Sequence, residues 1–486
     1  MGNHKIKLIR IAAAITGATI SLAVFAQPPG FVMPPGPAAL FPDAAPIRSC
    51  ESLSSVALPN TMIESASVEG GVCQVTAITT HPPTEDRVTI WIYLPMTGWN
   101  GRFQGTGGGG FLGGSPMSLP GPVSQGYATG STDTGHEGGR GSFALNENGG
   151  LNWQLIRDNA HVGIHEMTVT GKALTEAFYG QPPAYSYFNG CSTGGRQGLM
   201  EAQRYPEDYD GILSAAPAIN WPQLHVQQMW GPMLMNNEGN PVANCKLAAA
   251  TQAAIAACDT IDGVADGVLE NPLACDFDPH SLVGKSAGQC GTITQSDAAI
   301  IARVLEGPRR TDGSFLWYGS PWGADMSALS GSEGEPLAPR AMGITLDWWR
   351  YFLTENPDFD WTSVNYDGYE RFWEQSVEQF SEVIGTNNPD LSAYRDSDGK
   401  IIVWHGWADQ LITISGTIDY YNKVVDEMGG ARRANDFIRF FTAPGVMHCA
   451  GGNGPQPYGQ LEALLEWVED GVAPETLSAA IRNEQG

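Results

Sequence analysis

NGCSTGGRQG, residues 189–198, places Ser192 in a G-x-S-x-G pattern with a cysteine directly before it. The pattern alone is a moderate signal, and its flanks give it weight. YSYFNGCS reads as a strand entering a sharp turn, and RQGLMEAQRYP begins a helix behind it. A strand–turn–helix of this kind lifts the serine hydroxyl above the edge of a sheet. It also aims the backbone N–H of the next residue, Thr193, at an oxygen that develops negative charge. The fold then depends on whether strands and helices alternate on both sides of this turn.

They do. Before it, RVTIWIYLP from residue 87 and GYATGSTDTGH (126–136) have the apolar density of strands, with GRFQGTGGGGFLGG between them as a glycine-rich turn. NAHVGIHEMTVTGKALTEAFYG (159–180) carries a helical pattern that stops at a glycine. After the serine come a strand in GILSAAPA and, much later, a buried strand in KIIVWHGWADQ (400–410). A helix over 416–428, a strand in DFIRFFTAP (436–444) and a last helix over 458–470 complete the series. This alternation predicts an α/β fold with a mostly parallel sheet covered on both faces. Residues 220–397 break the rhythm and hold four cysteines, an acidic turn and most of the tryptophans. The expected organisation is one core, built from 27–219 and 398–486, interrupted by an inserted lid domain over 220–397.

A serine hydroxyl is a poor nucleophile until a base removes its proton, and a carboxylate should orient that base. Where such a serine sits on a strand–helix turn, the acid and then the histidine follow in chain order. Asp409 ends the strand IIVWHGWAD, and His448 lies in the loop after the next strand. Cys191 precedes the proposed nucleophile and Cys449 follows the proposed base. If those two cysteines bond, their Cα atoms sit about 5.5–6 Å apart and serine and histidine become neighbours. The bond would close a loop of 258 residues, which a chain-entropy account values at about 5 kcal/mol. Positioning is the larger effect, because a base displaced by ~1 Å can cost ~100-fold in rate.

The amino terminus has a basic start at Lys5, Lys7 and Arg10, then a mostly apolar run over 11–25. Val24 and Ala26 suit cleavage before Gln27, so residues 1–26 read as a signal peptide and the protein as secreted or periplasmic. Its removal takes the net charge from −26 to −29. Such a surface disfavours nucleic acid and anionic membranes as partners. Eight cysteines in an exported chain read as a disulfide set, although the count alone does not pair them.

CDTIDGVADGVLENPLAC (258–275) crowds Asp259, Asp262 and Asp266 together with Gly263 and Gly267 between them. The carboxylates repel one another unless a cation sits among them, and hard oxygen ligands suit Ca²⁺. The spacing is not that of an EF-hand, and a solvated acidic turn is the competing reading. Cys258 and Cys275 flank the turn and could staple it shut.

Taken together, NGRF…GGGG near 100–110, SYFNGCSTGGRQGL, RYPEDYDGI, CDTIDGVADG, HGWADQ and PGVMHC resemble the tannase and feruloyl esterase family over nearly the whole mature chain. The resemblance implies an α/β-hydrolase core with a large inserted lid. It implies a Ser192–Asp409–His448 triad joined by a Cys191–Cys449 disulfide, with Gly110 and Thr193 as the oxyanion hole. It implies a structural calcium held by the Asp259, Asp262 and Asp266 side chains and the Val264 and Val268 carbonyls. Two further pairs, Cys50–Cys73 and Cys245–Cys290, come from the same resemblance, as does a substrate-pocket place for His405. The expected function is a secreted serine carboxylesterase for small esters of phenolic or aromatic acids: feruloyl, galloyl or terephthalate monoesters. The alternative is a non-catalytic, calcium-dependent binding protein on a hydrolase scaffold. HVGIHE (161–166) has the wrong order for a zinc protease, and the aromatics of LDWWRYFLTENPDFDW (346–361) are expected mainly in the lid core.

Overall fold

Tyr185–Cys191 forms the strand ahead of Ser192, and Thr193–Arg204 forms the helix behind it. Around that pair the computed structural model, which describes residues 36–481, arranges a nine-stranded sheet. The strands are β1 (Thr61–Glu69), β2 (Val72–Thr79), β3 (Val88–Pro95), β4 (Arg102–Thr106) and β5 (Ala128–Thr132), followed by β6 (Tyr185–Cys191), β7 (Gly211–Ala215), β8 (Lys400–Gly406) and β9 (Ile438–Ala443). Their spatial order is β1–β2–β3–β5–β4–β6–β7–β8–β9. The first three pairings, out to β3–β5, are antiparallel; every pairing from β5–β4 to β8–β9 is parallel. The architecture is an α/β-hydrolase sheet. The expected signal peptide, residues 1–26, lies outside the described residues.

The pleat sorts side chains to two cores. Along β8, Ile401 and Val403 enter one buried cluster with Phe188 and Ile212, while Ile402 and Trp404 enter another with Tyr187 and Leu213. Helix α1 (Gly163–Tyr179) covers β3, β4 and β5. It ends where sequence placed its stop, at Gly180, whose φ of 78° lets its N–H close back on Glu176. Helix α2 (Thr193–Arg204) lies on β6 and β7.

Two elements differ from expectation. Arg102–Thr106, read as part of a glycine-rich turn, is a fully buried strand. It is shielded on both sides by β5 and β6, so it shows no alternation, and Gly105 leaves room for the Tyr209 ring. The β1–β2 hairpin, tied to the preceding turn by Cys50–Cys73, had no distinct signal, because β1 is mostly exposed.

Residues 216–399, between β7 and β8, add no strand to this sheet. Their principal helices are α3 (Asn244–Cys258) and α4 (Tyr366–Ile384). Their core includes Trp221, Trp230, Trp348, Trp349, Phe352 and Phe380, and it continues into Phe111, Ala144, Ile156 and Ala160 of the preceding segment. Residues 36–481 accordingly fall in one compact unit. No helix among the described residues is long and apolar enough to cross a membrane.

Candidate active site

Ser192 sits at φ 62° and ψ −122°, a conformation that non-glycine residues seldom hold. Three backbone bonds fix it. Its N–H donates to Ala215 O, and its own carbonyl accepts from Arg196 and Ala218, each at 3.0 Å. The turn closes so tightly that a Cβ on Gly190 would lie 2.5 Å from the Gly194 carbonyl carbon. Glycine at that position is therefore a steric requirement.

The glycine-rich loop after β4 is clamped by α2. Thr193 Oγ1 donates to Gly110 O at 2.6 Å. Gln197 accepts from Gly108 N–H at 3.0 Å and donates to Gly113 O at 2.9 Å. The two residues expected at the oxyanion hole are thus tied together by the Thr193 side chain. Gly110, at φ 62°, has Ile344 of the insertion above it, 3.3 Å from where a Cβ would stand.

Asp409 follows β8 and His448 follows β9, and the two meet. His448 Nδ1 donates to Asp409 Oδ2 at 2.8 Å. Asp409 Oδ1 accepts from the Leu411 and Ile412 N–H groups, each at 2.9 Å. Burial alone would push the Asp409 carboxyl up. The His448 charge and the hydrogen bonds from His405 and His448 outweigh it, holding the carboxyl well below the usual carboxylate range. Gln410 accepts from the His448 N–H at 3.1 Å and seats that loop. Cys191 and Cys449 are bonded, with Cα atoms 6.0 Å apart, so the residues flanking them, Ser192 and His448, are neighbours.

Sequence reasoning missed three of these partners: the Thr193 hydroxyl, Gln197 and Gln410. Their hydrogen-bond partners lie up to 89 positions away, so no local pattern marks them. One role changes. His405, expected at a substrate pocket, is wholly buried beneath Asp409, with both ring nitrogens engaged. The aromatics of 346–361 fill the insertion's core, and Phe352 stacks on Phe111, the residue after Gly110, at 5.4 Å. A cavity of about 490 Å³ is lined by Val268, Trp322, Trp407, Ala408 and Met447. Neither Ser192 nor His448 lines it.

The acidic turn is stapled by Cys258–Cys275, and Cys245–Cys290 closes a second loop of the insertion. Asp259 Oδ1 accepts from Gly267 N–H, Asp262 Oδ1 from Val264 N–H and Asp266 Oδ1 from Val268 N–H, at 2.8, 2.8 and 3.0 Å. The loop's own backbone engages one oxygen of each carboxylate. The donor chemistry fits a hard cation. The three carboxylates do not crowd within 4.8 Å, as the ligand atoms of His81, Asp86 and Asp158 do, and those of His165, Glu201 and Asp208.

The family described as tannase and feruloyl esterase matches residues 73–486. The chain belongs to that family. The esterase is 41% identical to a probable feruloyl esterase of Arthroderma benhamiae, over 88% of this chain and 81% of the relative. It is 31% identical to the mono(2-hydroxyethyl) terephthalate hydrolase of Piscinibacter sakaiensis, over 90% and 80%. Among solved structures, the tannin acyl hydrolase of Aspergillus niger superposes with a TM-score of 0.82 at 26% identity, over 89% of both chains. Feruloyl esterase B of Aspergillus oryzae does so at 0.79 and 26%, over 89% and 92%. The protein is a carboxylic ester hydrolase.

Proposed function

We propose that the protein is an exported serine esterase that cleaves esters of phenolic or aromatic acids through Ser192, His448 and Asp409. The observation that carries the reading is the Asp409–His448 pair, delivered beside the strained Ser192 turn by the Cys191–Cys449 bond. Ser192 Oγ attacks the ester carbonyl carbon while His448 Nε2 takes its proton. The carbonyl oxygen becomes an oxyanion between the Thr193 and Gly110 N–H groups. The alkoxide leaves as the alcohol, with the proton from His448. Water, deprotonated by the same nitrogen, then splits the acyl-enzyme and returns the proton to Ser192. Asp409 holds the imidazole in the tautomer with Nδ1–H and stabilises its cationic form.

Relatives named for feruloyl esters, tannin and a terephthalate monoester support an aromatic acyl group. A calcium held by Asp259, Asp262, Asp266 and the Val264 and Val268 carbonyls would keep the acidic turn folded and take no part in the chemistry. Export is read from residues 1–26 and the four disulfides. Purified protein is assayed on methyl ferulate, methyl gallate, chlorogenate and mono(2-hydroxyethyl) terephthalate, beside Ser192→Ala. At least one ester should turn over and the variant should lose that turnover. Hydrolysis that survives in Ser192→Ala would remove the serine from this role.

A further inference from the structure

Asp409 carries two histidines on one oxygen. His448 Nδ1 donates to Asp409 Oδ2 at 2.8 Å, and His405 Nε2 meets the same atom at 2.9 Å. His405 is the residue four before Asp409, at the end of β8, and it is wholly buried. Its Nε2 also faces the Ile412 carbonyl at 3.2 Å. Both neighbours of that nitrogen are pure acceptors, so Nε2 must carry a proton. Its Nδ1 lies 3.0 Å from Thr417 Oγ1, on helix α5 (Ile414–Glu427). A threonine hydroxyl can donate there, which leaves every polar atom of the ring paired.

We propose that His405, fixed in its Nε2–H form by Thr417, is a positioning residue of the active site that shares the Asp409 carboxylate with His448 and so sets the basicity of the catalytic imidazole. This rests on the triad reading above. The argument is a count of donors. Asp409 Oδ1 is occupied by two backbone N–H groups, and Oδ2 by the two imidazoles. A donor that holds half of Oδ2 withdraws negative charge from His448 and weakens the stabilisation of its cationic form. It also prevents the carboxylate from turning towards His448 alone. Among the described residues, the two titratable groups in contact with Asp409 are these two histidines. Thr417 and the backbone of 411–412 supply the remaining contacts.

The sign follows. With the His405 donor gone, Asp409 presents more charge to His448, whose protonated form becomes easier to hold. The acid limb of the kcat/KM profile reports His448 in the free enzyme. In His405→Phe, which keeps the ring and loses the donor, that limb should move to higher pH by about one unit, and kcat should fall ~10-fold to 100-fold with KM little changed. His405→Gln, which restores an N–H at similar reach, should bring the limb back towards its original position. Thr417→Val changes little volume and should shift the limb the same way by less. A residue that merely fills space would leave the limb unmoved in all three. Should His405→Phe fail to fold, Thr417→Val decides, and an unmoved limb in that variant overturns the proposal. Ser192→Ala is measured alongside: activity retained there sinks the triad reading, whereas an inert Ser192→Ala with an unshifted His405→Phe sinks only the role of His405.

Discussion

Asp409 Oδ1 is held by two main-chain N–H groups, and that fixes what an amide at this position would do. In Asp409→Asn the amide oxygen must stay on those donors, which turns the NH₂ towards both imidazoles. His448 Nδ1 then faces a donor and has to become an acceptor, leaving its proton on Nε2, where it cannot receive one from Ser192. The expected loss in kcat is about 10⁴-fold, the scale of a wrong tautomer in a serine triad. A loss below tenfold would mean that Asp409 does not set the tautomer. Three of the residues named from the sequence, Ser192, Asp409 and His448, share one property: each lies in the turn or loop that follows the carboxyl end of a strand, where β-period patterns locate it. Thr193, Gln197 and Gln410 act through hydrogen bonds to distant segments. The burial of His405 depends on packing against α5, which spacing does not reveal.

At the scale of elements, β6 and β8 are separated by β7 alone, and β8 pairs directly with β9. The sheet therefore brings the Ser192 turn and the His448 loop to the same edge, where the Cys191–Cys449 bond joins them. The His448 loop turns sharply, with Cys449 at a φ of 62° and Gly445 at 64°. The Cys191–Cys449 bond and the Gln410–His448 hydrogen bond both hold it. Replacing both cysteines by serine should leave a folded protein, because the strand registers do not require the bond. Its kcat should drop ~10-fold to 100-fold, the price of a base misplaced by about an ångström. Thermal melting and steady-state kinetics on the same preparation separate the two effects. Full kcat in a destabilised variant would reduce the bond to a staple. Strands buried on one face and strands at a motif were legible from sequence, as β3, β6, β8 and β9 show. Strand β4 was not, since a short buried strand followed at once by four consecutive glycines carries turn composition inside a sheet.

Across the whole molecule the insertion is joined to the loops that follow the strands at several points. Phe352 stacks on Phe111, and Arg140 grips the buried Asp347 through two hydrogen bonds of 2.7 and 2.8 Å. Thr413, four residues after Asp409, donates to Gly319 O at 2.9 Å. The acidic turn makes a further junction. A Cβ on Gly445 would lie 2.9 Å from Val268 Cγ1, so the end of that turn packs against the start of the His448 loop. Three aspartates in an exposed turn of a chain with net charge −26 repel one another, and the repulsion grows as salt falls. A bound Ca²⁺ would cancel it and fix Val268 against Gly445. Saturation at about 100 times the dissociation constant would be worth about 2.7 kcal/mol. Adding a chelator should accordingly lower the melting midpoint by a few degrees, more at low ionic strength, and readded Ca²⁺ should restore it where Mg²⁺ does not. Asp262→Asn should melt near the chelated midpoint and ignore the chelator. If the unaltered protein melts at one temperature with and without chelator, and elemental analysis finds no calcium, the turn is held by its backbone hydrogen bonds and the Cys258–Cys275 staple alone.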